Sequence, residues 1–202
     1  MNVPPQIDLD RRTALLDAAL RLFDTQGYAA TTMAAVQRDA KASTGSLYHH
    51  FPSKAHLAAE LQVQALIDYQ REFLSILTAA GLDDAETAVR STVHFHLRWV
   101  ADHLSHARLL YTLQDPQVSA LAAGRLDAIN DDFFTRIDGW YKHQLEHQRV
   151  RDVPIELLSY IWIGPAQEAA RFYLSSGLPV DHLKKYAHDL ATAAWRAVCY
   201  VA

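Results

Sequence analysis

Apolar residues recur at helical spacing from end to end of this chain, and punctuation residues cut the pattern into about nine pieces. The first stripe combines Leu15, Ala19 and Leu22 with Leu16, Leu20 and Phe23, predicting a helix from about Asp10, its N-cap, to Thr25. Gly27 suits the left-handed position that closes it, and Met1–Gln6, with Pro4 and Pro5, reads as a loose arm. Met33, Val36 and Ala40 mark a short second helix, capped by Thr31 or Thr32. Thr44–His50 forms a third, capped by Ser43 or Thr44 and ended by Pro52. A fourth runs from Ser53 to about Ala80, with Leu57, Leu61, Ala65, Tyr69, Phe73 and Leu77 along one face. Its stripe does not pause near residue 56, so one helix serves whatever lies on both sides.

Gly81 closes that helix and Asp83-Asp84 open a fifth, to about His103. A sixth covers about Ser105–Leu113, and Asp115-Pro116 start a long seventh, to about Gln148, with proline at the favourable first position. Val153-Pro154 start an eighth, to about Ser175, kinked at Gly164-Pro165. The break Ser176-Gly177-Leu178-Pro179 precedes a ninth, to about Tyr200. Alternating strand patterns are nearly absent, so the fold is all-α. The division expected is a head over residues 1–55 and a larger helical body over 56–202.

The most specific stretch is Thr31–Lys54. Two short helices joined by little more than Lys41 and Ala42 are a helix-turn-helix, a device for presenting one helix to a DNA groove. The second of them carries Leu47 as its one aliphatic anchor, Phe51 being the next core residue. Its other side chains are hydroxyls, the Tyr48 phenol and the imidazoles of His49 and His50, which suit phosphate oxygens and base edges. Gly45 lets a partner's backbone come close. Lys54 opposes the dipole at the start of the fourth helix and is better explained by an external phosphate.

The run SLYHHFPSK, with the Thr31-Thr32 pair and the Arg12–Gly27 helix before it, resembles the tetracycline-repressor-like (TetR/AcrR) family of transcriptional regulators. The resemblance covers roughly residues 10–60. It implies a three-helix DNA-binding head with Thr32, Thr44, Gly45, Ser46, Tyr48, His49, His50 and Lys54 at the DNA surface, and Leu47 and Phe51 in the core. It further implies a homodimer on a palindromic double-stranded operator and a small-molecule effector bound in the body. Two positions depart from the family pattern. Lys41 stands where glycine is usual, so an unchanged turn requires a lysine at positive φ, at about 1–2 kcal/mol; Lys41 is also a candidate phosphate contact. Gln37 stands where alanine is frequent and must find a hydrogen-bond partner or turn outward.

Charge refines the picture. The chain's net charge is −4. Residues 1–55 hold six Lys/Arg against five Asp, a balance of +1, leaving −5 for the remainder. That excludes a general nucleic-acid sponge and fits sequence-specific docking with a shallow salt dependence. One cysteine, Cys199, permits no intrachain disulfide. With no run of membrane-spanning length and no secretory pattern at the start, a cytoplasmic protein is expected.

For the body, Phe95, Trp99, Tyr111, Phe134, Trp140 and Trp162 mix bulk with polar edges, as a pocket for a partly apolar ligand would, although a filled core uses the same residues. Leu183, Ala187, Leu190, Ala194 and Ala197 form a narrow small-residue seam on the ninth helix, and Ile161, Pro165, Glu168 and Phe172 share a face of the eighth. The resemblance makes these two helices the dimer interface; an intrachain core is the alternative. His143/His147 and His103/His106 have helix-face spacing, but no cysteine or carboxylate completes either set at a telling spacing, so no metal or other cofactor is expected. No nucleophile elbow, phosphate loop or carboxylate pair indicates an enzyme. The reading is a homodimeric DNA-binding repressor relieved by a small ligand. The alternatives are an activator, or a helical partner-binding or structural protein whose DNA head is constitutive or vestigial.

Overall fold

In a computed structural model, which describes residues 5–200 and the side chains of residues 9–200, the described residues form ten α-helices. They are α1 (Pro5–Gln26), α2 (Met33–Asp39), α3 (Thr44–His50), α4 (Lys54–Ala79), α5 (Ala85–Asp102), α6 (Leu104–Thr112), α7 (Pro116–Glu146), α8 (Ile155–Trp162), α9 (Gly164–Ser176) and α10 (Leu183–Val198). Among the described residues the single β-type pairing is an isolated antiparallel bridge between Val150 and Cys199. No described helix is long and apolar enough to cross a membrane.

Two boundaries differ from expectation for local reasons. α1 begins at Pro5, so Asp10 lies within it rather than capping it. Proline's fixed φ is suited to a helix start. Met1–Pro4 of the expected arm lie outside the described residues, and Pro5 and Gln6 are helical. The single helix expected over Val153–Ser175 is two, α8 and α9, broken at Ile163 before Gly164-Pro165. Pro165 has no N–H to continue the ladder, and the Ile163 N–H closes α8 by donating to the Ser159 carbonyl. Elsewhere the punctuation works as expected. Gly27, Gly81 and Gly177 have positive φ, and Asp84 caps α5 by accepting from the Thr87 N–H.

The helices group into two compact units. One comprises residues up to Ala65 together with Ser105–Leu126. The other comprises Leu66–Leu104 and Asp127–Ala202. The first is therefore larger than the 1–55 segment. Buried Gln62 donates to the Leu109 carbonyl, and Glu60 of α4 pairs with both Arg12 of α1 (2.7 Å) and Arg125 of α7 (2.6 Å). Arg108 of α6 pairs with Asp24 of α1. Burial would raise the Glu60 pKa, but hydrogen bonds from Arg125 and Arg12, with their charges, outweigh it and hold the carboxyl below its usual range.

In the second unit α10 lies on α5. Leu183, Ala187, Ala191, Ala194 and Val198 are buried, while Arg90 of α5 donates to Thr192 and Lys184 pairs with Asp102. Trp162 of α8 donates its indole N–H to Thr92 of α5 at 3.1 Å. An aromatic cluster fills the space beside them, with Tyr69 packed edge-on against Trp99 (5.1 Å) and Phe73 against Phe133 (5.4 Å). Within it His96 is almost fully buried and meets the Tyr69 hydroxyl at 2.8 Å through Nδ1.

Burial pushes the His96 pKa down to about 4. The unfolded chain, near the ordinary value of about 6.5, therefore binds its proton first as pH falls. Stability that is full above pH ~6.5 is lost as pH drops toward ~4, by up to about 3 kcal/mol from this group. His96→Asn keeps an amide facing Tyr69 and removes the titration. Denaturant unfolding should then give a flatter stability curve across that window, and a slope equal to that of the unsubstituted chain would contradict this account.

Candidate nucleic-acid interface

α3 is seven residues long, too short to persist alone, and the sequence supplies its supports locally. The Ser43 side chain accepts from the Ser46 N–H, and Thr32 caps α2 by accepting from the Ala35 N–H, both at 3.1 Å. Thr31, the other capping candidate, is buried and donates to the Gly27 carbonyl instead. Leu47 is fully buried and Phe51, at the C-cap, is 3% exposed. The Arg12 guanidinium sits 5.3 Å from the Phe51 ring centroid while pairing with Glu60. Arg21 pairs with Asp39 at 2.6 Å, tying α1 to the end of α2.

The joint keeps a left-handed residue. Lys41 has φ 51°, so the strain anticipated for a lysine in place of glycine is present. Gln37 finds its partner in Thr44, donating to the hydroxyl oxygen at 3.1 Å. A β-carbon added at Gly45 would meet nothing within 4 Å, so packing inside the chain does not require glycine there.

Burial on one side leaves the opposite side of α3 displayed. Tyr48 is 52% exposed, Thr44, Gly45 and His49 are exposed, and Ser46 and His50 are half-buried. Thr32 and Lys41 are exposed too. A groove of about 320 Å³ beside the joint is lined by Lys41, Ser43 and Ser46 together with Asp10, Arg11 and Ala40. Arg11 is a cation that the motif alone did not nominate. Its place became visible only once α1 was packed against the joint.

Lys54 needs correction in part. Its ammonium donates to the carbonyls of Tyr28 (2.6 Å) and Ala29 (3.1 Å) and lies 4.4 Å from the Tyr28 ring centroid. Two of its three N–H donors thus hold the α1–α2 connection, and at most one faces outward. Ser53 meets His56 Nδ1 at 2.9 Å, so its side chain is paired with another side chain at the start of α4.

The body residues separate. Phe134 and Trp162 line a cavity of about 150 Å³ with Tyr69, Phe73, Ile137 and Leu158. Trp140 packs at a tilt against Trp162, ring centroids 5.2 Å apart, and borders a groove of about 730 Å³, lined also by Ile67, Gln70, Arg71, Leu74, Phe133 and Arg136. The Trp140 indole N–H is buried without a partner among the described residues. Phe95 and Trp99 belong to the packed cluster around Tyr69, and Tyr111 falls in the other compact unit, where burial raises its pKa. Of the expected seam, Leu183, Ala187 and Ala194 are spent inside the chain against α5, and Leu190 and Ala197 are half-buried. An a/d pattern of small residues serves an intrachain helix as well as a partner's. On α8 and α9, Ile161 is half-buried while Pro165, Glu168 and Phe172 are exposed. The expectation that no carboxylate completes the His143/His147 pair does not hold: Glu146 lies beside both.

Residues 15–61 match the family of bacterial regulatory proteins described as the tetR family. The chain is 40% identical over 195 residues to the HTH-type transcriptional repressor KstR2 of Rhodococcus jostii, spanning 92% of this chain and 93% of that one. It is 29% identical over 181 residues to the transcriptional activator FasR of Mycolicibacterium smegmatis, covering 85% of this chain and 76% of the other. The fold resembles that of NalD, the secondary repressor of a multidrug efflux pump in Pseudomonas aeruginosa, with a TM-score of 0.74 at 17% identity over 96% of this chain and 98% of that one.

Lys41→Gly relieves the left-handed strain at the joint. After the added freedom of glycine in the unfolded chain is subtracted, the gain is up to about 1 kcal/mol. The midpoint of thermal unfolding should rise by roughly 2 °C. A lower midpoint would mean that the lysine side chain makes a compensating contact.

Proposed function

The chain belongs to the tetR family of bacterial regulatory proteins, and from that premise we propose that it is a homodimeric transcriptional repressor that grips a palindromic operator and is released by a small, partly apolar molecule. Each protomer lays α3 in a major groove, the two half-sites being separated by one or more helical turns. Tyr48, His49, Ser46 and Thr44 meet bases and phosphates; Thr32, Lys41, Arg11 and the half-buried His50 flank them. The observation that carries this reading is the one-sided burial of α3. A short helix anchored by Leu47 alone, with a glycine that no intrachain packing demands, is organised toward a surface outside the chain. Lys54 acts mainly by fixing the α1–α2 connection, with one donor left for phosphate.

The effector enters among the aromatic side chains of the second unit. The cavity bounded by Phe134 and Trp162 accepts an apolar portion. The unpartnered Trp140 indole N–H, at the neighbouring groove, favours a ligand bearing a carbonyl or hydroxyl oxygen. α4 contributes Tyr69 and Phe73 to the cavity and starts, at Lys54, in the head, so it is a covalent route between the two. Tight binding alone releases nothing. A swing from 1:99 to 99:1 in DNA-competent molecules needs about 5.5 kcal/mol of preference for the incompetent form. The protomers pair through the exposed parts of α9 and α10, where Glu168, Phe172 and Tyr186 stand out. The protein works in the cytoplasm, where the chromosome is accessible. Activation is the second reading, favoured by the activator among its relatives; placement of the operator relative to the promoter decides between them.

Selection of bound fragments from sheared genomic DNA should recover a small set sharing one palindrome. Tyr48→Phe should weaken binding to that palindrome by roughly tenfold, the worth of one hydrogen bond to the duplex, without moving the unfolding midpoint. Recovered fragments with no common motif, or equal affinity in the variant, would overturn the assignment of α3 as the reading helix.

A further inference from the structure

The last turn of α7 and the residue that follows it carry His143, Glu146 and His147, at spacings that bring all three together. One potential ligand atom from each lies within 4.8 Å of the other two. The imidazole centroids are 4.4 Å apart. Two details distinguish this cluster from a chance grouping of polar side chains. The His147 Nδ1 lies 2.8 Å from the His143 carbonyl oxygen. A carbonyl only accepts, so Nδ1 carries the proton and the Nε2 lone pair is left free, which is the tautomer a metal-binding histidine needs. The second detail is that His143 Nε2 is buried with no hydrogen-bond partner among the described residues. A nitrogen in that position is normally satisfied by something.

We propose that His143, Glu146 and His147 form a binding site for a divalent transition-metal ion of the zinc class. Two imidazoles and one carboxylate are a donor set that zinc accepts, with a fourth position open to water. Nitrogen donors in the majority disfavour magnesium and calcium. Glu146 and His147 are exposed, so two of the three ligand residues already face solvent. The site sits at the C-terminal end of a 31-residue helix, where the backbone dipole favours a positive charge. A bound ion would bridge consecutive turns of α7 directly before Gln148, whose φ of 54° begins the chain's turn away from that helix. None of the three residues lines the aromatic cavity or the groove beside Trp140, so this is a second site and not part of the effector pocket proposed above.

The test is calorimetric titration of the full chain with zinc chloride in a non-coordinating buffer. One ion should bind per chain. His147→Ala and Glu146→Gln, both at exposed positions, should weaken that binding by roughly tenfold or more. His94→Ala with His188→Ala, which removes another pair of neighbouring histidines, should leave it unchanged. Cobalt(II) gives an independent reading, because its visible absorption in the unsubstituted chain should report nitrogen and oxygen ligation and disappear in His147→Ala. Circular dichroism verifies that each variant is folded. No stoichiometric zinc binding by the unsubstituted chain, or the same affinity in His147→Ala and Glu146→Gln, would overturn the site. So would loss of binding in the His94/His188 variant alone.

Discussion

The head depends on the burial of one leucine. A helix of seven residues has too few hydrogen bonds to offset the cost of starting it, so α3 exists because Leu47 is held in a core built by other helices. The Ser43 cap and the Phe51 ring fix its two ends, and Arg12, shared between that ring and Glu60, fastens the far end to α1 and α4. Concentrating the anchoring on one side frees the other. If α3 carried a wider apolar face it would be steadier by itself, but Tyr48 and His49 would then have less room to face outward.

The same unit recruits residues from far along the chain. Glu60 receives two guanidinium groups, one from α1 and one from the start of α7, and Gln62 closes a buried hydrogen bond with α6. A carboxylate with two cationic partners keeps its charge where burial alone would discourage it. These polar ties help hold Ser105–Leu126 with the first sixty-five residues although the segment Leu66–Leu104 intervenes. In the second unit the organising contacts are aromatic. Tyr69, Phe73, Phe134 and Trp162 leave a small cavity instead of a solid interior, with Trp140 at the adjoining groove.

Much of this architecture was legible in the sequence because its signals are local. Thr32 and Ser43 announce helix starts within three residues of the N–H groups they cap, and Gly27, Gly81 and Gly177 announce stops. Helical periodicity located nearly every element, and the resemblance marked Lys41 as the joint residue that must be strained unless the turn changed shape; the turn kept its shape. What escaped was non-local or ambiguous in principle. Nothing near Lys54 predicts that its ammonium meets carbonyls of Tyr28 and Ala29, some twenty-five residues earlier. The aromatic residues of the body could not be sorted by spacing: Tyr111 and Trp99 read alike, yet fall in different compact units. The i, i+4 spacing of His143 and His147 is visible in the sequence, but whether the Glu146 carboxylate turns toward them depends on its rotamer, which spacing does not fix.

Ala187, Ala191 and Ala194 of α10 face inward, in the helix that packs on α5, and this alters what two protomers would offer each other. Smooth alanine ridges let helices slide past one another with little change in energy. Here those ridges are already covered, and the neighbouring outer surface carries Phe172, Tyr186 and the Arg171–Glu168 ion pair. Large rings and fixed charges interlock in few registers. Pairing built on them would be discriminating, because a second surface must match both the bulk and the charges to fit.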